Sequence, residues 1–193
     1  GGDGDGFSIG SGHIPHVARK NIDITYIVMN NNIYGLTKGQ ASPTTPLDTI
    51  TKTTYYGNME DPINPVRMMI SYNSSFVARA FSGYPKETAA VIAQAIAHKG
   101  FSFIEVLSPC PTFNGKDQFT MLKEKTSFID ENHDSSDQVA AFDVANSEDN
   151  YKLGIIYHKN RPTYTDLVHN LQKKAKGNKP VPEVIDLLKM YEP

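Results

Sequence analysis

Two kinds of apolar pattern alternate along the chain. Residues 24–29, 76–81 and 101–107 are short, nearly continuous apolar runs of strand length, as expected of strands covered on both faces in a parallel sheet. Between them the period is helical. Over 11–20, Ile14, Val17 and Ala18 share a face, Ser11 is placed to cap, and Pro15 is tolerable in the first turn. Residues 64–72 read as a helix with Pro65 at its start. Residues 85–99 read as another, with Ala89, Ile92, Ala93 and Ile96 along one side and Gly100 as its stop. This alternation predicts an α/β domain, three-layer α/β/α around a mostly parallel sheet. The signal weakens after residue 114. There a helix is expected over 138–145, a strand over 153–157 and an amphipathic helix over 182–191, with 131–137 polar and exposed. Residues 1–130 are read as the binding part, and 131–193 as a continuation packed on the same domain.

Residues 33–65 break the alternation. They hold Gly35, Gly39, Pro43, Pro46, Gly57, Pro62 and Pro65 and show no period. A loop of this length in a compact domain is usually functional or disordered. Its charge-poor wording, SPTTPLDTITKTTYYGN, favours an ordered wrap. At the other end, a glycine-rich turn at residues 2–6 stands without the strand that would aim it, so the first strand is expected upstream of Gly1.

Composition narrows the function classes. Nineteen basic residues against 21 acidic ones leave a net charge of −2, without the basic excess typical of nucleic-acid or membrane binders. No apolar run approaches the roughly 20 residues of a membrane helix. A single cysteine excludes an internal disulfide framework and fits a reducing cytoplasm.

The chemistry concentrates in residues 2–40. Gly2-Asp3-Gly4-Asp5-Gly6 is followed, beyond a helix and a strand, by Asn30-Asn31-Asn32-Ile33-Tyr34-Gly35. If both ends reach one edge of the sheet, the Asp3 carboxylate, the Asn31 amide oxygen and the Ile33 carbonyl suit an octahedral Mg²⁺, leaving positions for phosphate and water. Gly2, Gly4 and Gly35 would let backbone approach a diphosphate, and the helix that follows would aim its N-terminus at it. A dinucleotide fingerprint needs glycine where Phe7 stands. An EF-hand needs glycine at Ser8 and glutamate at Ile14. Alone, Asp3 would more often be a turn residue; the asparagine cluster favours the metal. Asp5 either orients the turn or is a solvated carboxylate. Lys38 suits a substrate carboxylate, against the commoner fate of a surface lysine. Thr37 and His13 are candidates for the diphosphate. His13 and His16 share a helix face, but no third ligand completes a zinc site; His16 is read as structural.

The wording GGDGDGFSIGSGH and ITYIVMNNNIYGLTKGQASPTTP, continued through TKTTYYGNMEDPINP, FVARAFSGYPKE, HKGFSFIEVLSPCPTFN and LGIIYHKNRPTY, resembles the beta subunit of 2-oxoacid:ferredoxin oxidoreductases, especially the 2-oxoglutarate type. The resemblance implies a thiamine-diphosphate-binding fold with Mg²⁺. It also implies oxidative decarboxylation of a 2-oxoacid, with the acyl group passed to coenzyme A and electrons to ferredoxin. By the same resemblance Lys38 and Leu36 line the 2-oxoacid pocket, and Cys110 is one ligand of a [4Fe–4S] cluster. Such a cluster takes about four cysteines and this sequence has one, so either the other three are expected upstream of Gly1 or the ligand role is lost. The glutamate that tunes the aminopyrimidine ring is implied to come from a partner alpha subunit, and no catalytic acid is assigned in this chain. The alternatives are a non-catalytic assembly module and a non-oxidative thiamine-dependent decarboxylase.

Overall fold

The computed structural model describes residues 1–35, 38–113, 117–147, 149–177 and 183–191. The chain opens with α1 (Asp3–Phe7), a 3-10 turn (Ile9–Gly12) and α2 (Ile14–Lys20), which lead into β1 (Ile24–Asn30). After the irregular stretch come α3 (Pro65–Ser71), β2 (Phe76–Phe81), α4 (Pro85–Ala97) and β3 (Phe101–Leu107). Then follow α5 (Asp117–Glu124), β4 (Thr126–Phe128), α6 (Gln138–Ala145), β5 (Tyr151–His158), α7 (Tyr164–Lys176) and α8 (Val184–Lys189).

Five strands form one sheet in the order β1-β3-β2-β5-β4. β1, β3 and β2 run parallel, as do β4 and β5, while β5 runs antiparallel to β2. The mostly parallel three-layer architecture is thus as expected, with one reversal that the apolar pattern did not announce. On one face Phe7, Ile14, Ala18, Val66, Met69 and Ile70 pack on Val28, Val77 and Phe103. On the other, Ala95 with Val91 and Ile92 of α4 covers Phe76, Ala78, Ala80, Ile104 and Val106. Every residue of β2 and β3 is buried, the signature of central strands sandwiched between helix layers.

Several sequence expectations need correction. β1 is not buried on both faces: it lies at the edge of the described sheet, so Ile24 and Met29 are exposed and only Val28 and Asn30 are buried. Gly1 and Gly2 lie along that edge, where Met29 donates its amide to the Gly1 carbonyl at 2.9 Å and Gly2 pairs with Met29 in a parallel bridge. The second helix starts at Ile14, because the Ser11 hydroxyl donates to the Ser8 carbonyl inside the 3-10 turn rather than capping a helix. The buried face of α4 is Val91, Ile92 and Ala95; Ala89, Ala93 and Ile96 point outward. An alanine-rich helix offers two nearly equivalent faces, and the branched Val91 decides between them. α5, β4 and α7 were not anticipated, being short or dominated by polar residues.

Candidate functional site

At the carboxyl ends of β1, β2 and β3, α1 and the irregular stretch close over Asn30, Asn31 and Asn32. Gly2 is extended and Asp3 is the first residue of α1, so the Gly-Asp-Gly wording is a helix start rather than a separate turn before a helix. Asp3 is only 2 % exposed. Its Oδ2 accepts hydroxyl bonds from Ser42 at 2.6 Å and Thr44 at 2.8 Å. Its Oδ1 accepts from the backbone N–H of Asn31 at 3.4 Å. The carboxylate and the asparagine, distant in sequence, therefore meet. The Asn31 side-chain oxygen accepts the Ile33 amide at 3.1 Å, which turns the chain so that Ile33 bridges Ala41.

The donor set suits a hard divalent cation. Among the described residues the ion pairs are Arg79–Glu105 and Lys189–Asp186, and neither involves Asp3. A buried carboxylate without a cation is costly, and a metal on Oδ1 would offset that cost while the two hydroxyls hold Oδ2.

The glycines divide by role. A Cβ on Gly4 would fall 2.3 Å from the Tyr34 ring, whose hydroxyl donates to the Gly4 carbonyl at 3.0 Å. A Cβ on Gly6 would fall 2.4 Å from the Tyr26 hydroxyl. Both therefore serve aromatic packing of α1 onto β1 and the asparagine loop. A Cβ on Gly2 would meet nothing within 4 Å, leaving open space beside Asp3. Burial, and then the nearby Asp5 carboxylate, push the Tyr26 phenol above its ordinary pKa.

The sequence reading missed the hydroxyl residues that complete this rim. Thr45 donates to the Asn32 carbonyl at 2.6 Å and accepts the Ser42 amide at 2.7 Å. Asn32 donates to the Thr44 carbonyl at 2.8 Å. Ser42, Thr44 and Thr45 are all buried. All three lie in the SPTTP run, Thr44 and Thr45 between two prolines.

The other candidates lie further out. Asp5, His13, Gly35 and Lys38 are exposed; His16 is exposed too, so it is not the structural residue expected. Leu36 and Thr37 fall outside the described residues. Cys110 is half-buried, and its amide donates to Gln118 Oε1 at 3.2 Å. Among the described residues no three His, Cys, Asp or Glu side chains come together as a metal site. Cys110 is nevertheless tied to the rim, since Ser108 donates its amide to the Asn30 carbonyl at 2.8 Å.

Residues 1–106 match the family described as thiamine pyrophosphate enzyme, C-terminal TPP binding domain. The chain belongs to that family. Residues 110–173 match the family described as the C terminal of the pyruvate ferredoxin oxidoreductase beta subunit. Similar proteins include the 2-oxoglutarate synthase subunit KorB of Methanothermobacter marburgensis, 35% identical over 97% of this chain and 64% of its own length. The 2-oxoacid:ferredoxin oxidoreductase subunit beta of Saccharolobus solfataricus is 49% identical over 59% of this chain and 37% of its own. In structure, the 2-oxoglutarate:ferredoxin oxidoreductase from Magnetococcus marinus, with 2-oxoglutarate, coenzyme A and succinyl-CoA bound, superposes with a TM-score of 0.93. It is 40% identical and covers 100% of this chain and 66% of that one. The chain thus spans less than two thirds of the length of these relatives. Among the described residues no helix is long and apolar enough to cross a membrane.

Proposed function

We propose that this chain is the thiamine-diphosphate- and Mg²⁺-binding part of a 2-oxoacid:ferredoxin oxidoreductase that converts 2-oxoglutarate to its acyl-CoA in the cytoplasm. The convergence of buried Asp3 on Asn31, with the Asp3 carboxylate lacking a cationic partner among the described residues, carries the reading. In it, Asp3, Asn31 and the Ile33 carbonyl hold Mg²⁺, and Gly2, with its open flank, faces the diphosphate together with Gly35 and Thr37, while Gly4 serves the site by letting α1 pack on Tyr34. Asp5 and His13 stand at the margin of that site. Bound thiamine diphosphate supplies the carbanion-stabilising chemistry by which a 2-oxoacid loses CO₂. Lys38 meets the substrate carboxylate with its ammonium, and Leu36 lines the same pocket. Cys110 supplies one thiolate to a [4Fe–4S] cluster whose other cysteines lie outside this sequence. The carboxylate against the cofactor's aminopyrimidine ring comes from an alpha subunit, ferredoxin takes the electrons, and coenzyme A takes the acyl group. Residues 1–130 form the binding part, and 131–193 continue it.

Calorimetric titration with thiamine diphosphate and Mg²⁺ tests the assignment. Asp3→Ala is expected to abolish metal-dependent cofactor binding while circular dichroism shows the fold retained; unchanged affinity removes Asp3 from the site. Lys38→Ala is expected to raise the KM for 2-oxoglutarate with cofactor affinity preserved. Equal turnover would take Lys38 out of the pocket.

A further inference from the structure

Three polar side chains lie in a line across the three parallel strands, all on the face covered by α2 and α3. Arg79 of β2 and Glu105 of β3 are register partners, 1 % and 2 % exposed. The guanidinium donates from Nε to Glu105 Oε2 at 2.7 Å. The other carboxylate oxygen, Oε1, accepts the side-chain amide of Asn30 at 2.7 Å. Glu105 pairs with Val28 of β1, so Asn30, two residues on, is its diagonal neighbour on the same face. A polar row through the middle of a sheet is an expensive arrangement unless each group is held.

The row does not end at Asn30. An amide whose nitrogen donates to a carboxylate must turn its oxygen the other way. That oxygen, 4 % exposed with its residue, accepts the Thr44 hydroxyl at 3.0 Å and the Asn32 amide at 3.1 Å. The same Thr44 oxygen is 2.8 Å from Asp3 Oδ2. Its single proton lies between two acceptors, Asp3 Oδ2 and Asn30 Oδ1, and is shared by them, so the Asn30 oxygen bears on how the hydroxyl addresses Asp3. An unbroken series of contacts therefore runs from Arg79 through Glu105, Asn30 and Thr44 to Asp3.

We propose that Asn30, held by the Arg79–Glu105 pair, is a positioning residue: through Thr44 it sets the orientation in which the Asp3 carboxylate receives its divalent cation. The inference rests on the metal-binding reading of Asp3. Groups that orient a metal ligand typically account for tenfold to hundredfold in metal affinity, and here both Glu105 oxygens and both Asn30 side-chain polar atoms are engaged, while Arg79 Nη1 has no hydrogen-bond partner among the described residues. Glu105 spends one oxygen on Arg79 and the other on Asn30. Asn30 spends its nitrogen on Glu105 and its oxygen on the metal loop.

The test is titration of the assembled oxidoreductase with Mn²⁺ at saturating thiamine diphosphate, following free Mn²⁺ by electron paramagnetic resonance. Asn30→Ala and Thr44→Val are expected to weaken Mn²⁺ binding by about tenfold or more. Thr44→Ser, which keeps the hydroxyl, is expected to bind as the parent does. Thiamine diphosphate affinity at saturating Mn²⁺ should return to that of the parent, which general loosening of the sheet would not allow. Should Asn30→Ala fail to assemble, Thr44→Val, nearly isosteric, decides alone. Unchanged Mn²⁺ affinity in the assembled variants overturns the proposal provided Asp3→Ala abolishes binding. Unchanged affinity in Asp3→Ala itself would instead overturn the metal reading on which the proposal stands.

Discussion

The irregular stretch between β1 and α3 and the helical tail after β5 invert the usual association of regular structure with anchoring. The first has almost no secondary structure, yet it buries Ser42, Thr44, Thr45, Thr51 and Asn58. The second consists of α7 and α8, and neither buries a residue. Tyr164, Leu167 and Leu171 on α7, and Val184, Ile185 and Leu188 on α8, stay exposed. The difference follows from where backbone groups find partners. A helix satisfies its own amides and carbonyls and can stand apart; α7 even closes its start with the Thr163–Asp166 capping box. Irregular backbone must look elsewhere. Here it is served by side chains such as Asn58, which donates to the carbonyls of Thr45 and Glu60 at 2.9 and 3.0 Å. Other side chains of the same stretch, Ser42 and Thr44, hold Asp3.

The contrast can be broken most forcefully at Asn58. Asn58→Ala leaves the buried Thr45 carbonyl without its side-chain donor and is expected to cost about 1–3 kcal/mol, measured by urea unfolding, together with weaker cofactor binding because the SPTTP segment is released. A smaller effect is expected where the tail is rooted. Asn21 donates its side-chain amide to the carbonyls of Arg161 and Pro162 and accepts from Ser75, which His98 meets at 2.8 Å. Burial, and next the neighbouring His158, lower the His98 pKa, against an opposing pull from Asp23. The neutral ring is thus favoured in the folded chain. Its contribution is full above the unfolded pKa of about 6.5 and is lost as pH falls through the lower folded value. Thermal melts across that range should show stability falling with acid, and His98→Gln should flatten the slope. The smallest effect belongs to α7: Leu167→Ala with Leu171→Ala should change the stability of the isolated chain by no more than about 0.5 kcal/mol. A large loss there would mean that α7 packs on the body after all.

Much of this was legible from the residue pattern, for identifiable reasons. β2, β3 and α6 were readable because their bounds coincide with breaks in the pattern. Asp3 and Asn31 could be paired because strand topology forces both to one sheet edge. Ser42, Thr44 and Thr45 could not, because a hydroxyl residue in a loop has no period and acquires meaning only from what it faces. Asn30 and Glu105 were opaque for a related reason. Within an apolar strand a polar residue marks a departure from pattern, and its partner is set by register between strands that are distant in sequence. The face of α4 was misjudged because alanines carry too little weight to orient a helix.

The reversed course of β5 has a practical consequence. It ends at His158 opposite Phe76, the first residue of β2, with Lys159 bonded to Ser75. Its exit therefore opens on the rim remote from Asn30, about 20 Å away at roughly 3.3 Å per residue along β1. Grafts or spacers spliced in between β5 and α7 would enter at that far rim, leaving the three-asparagine turn undisturbed while the tail is relocated at will.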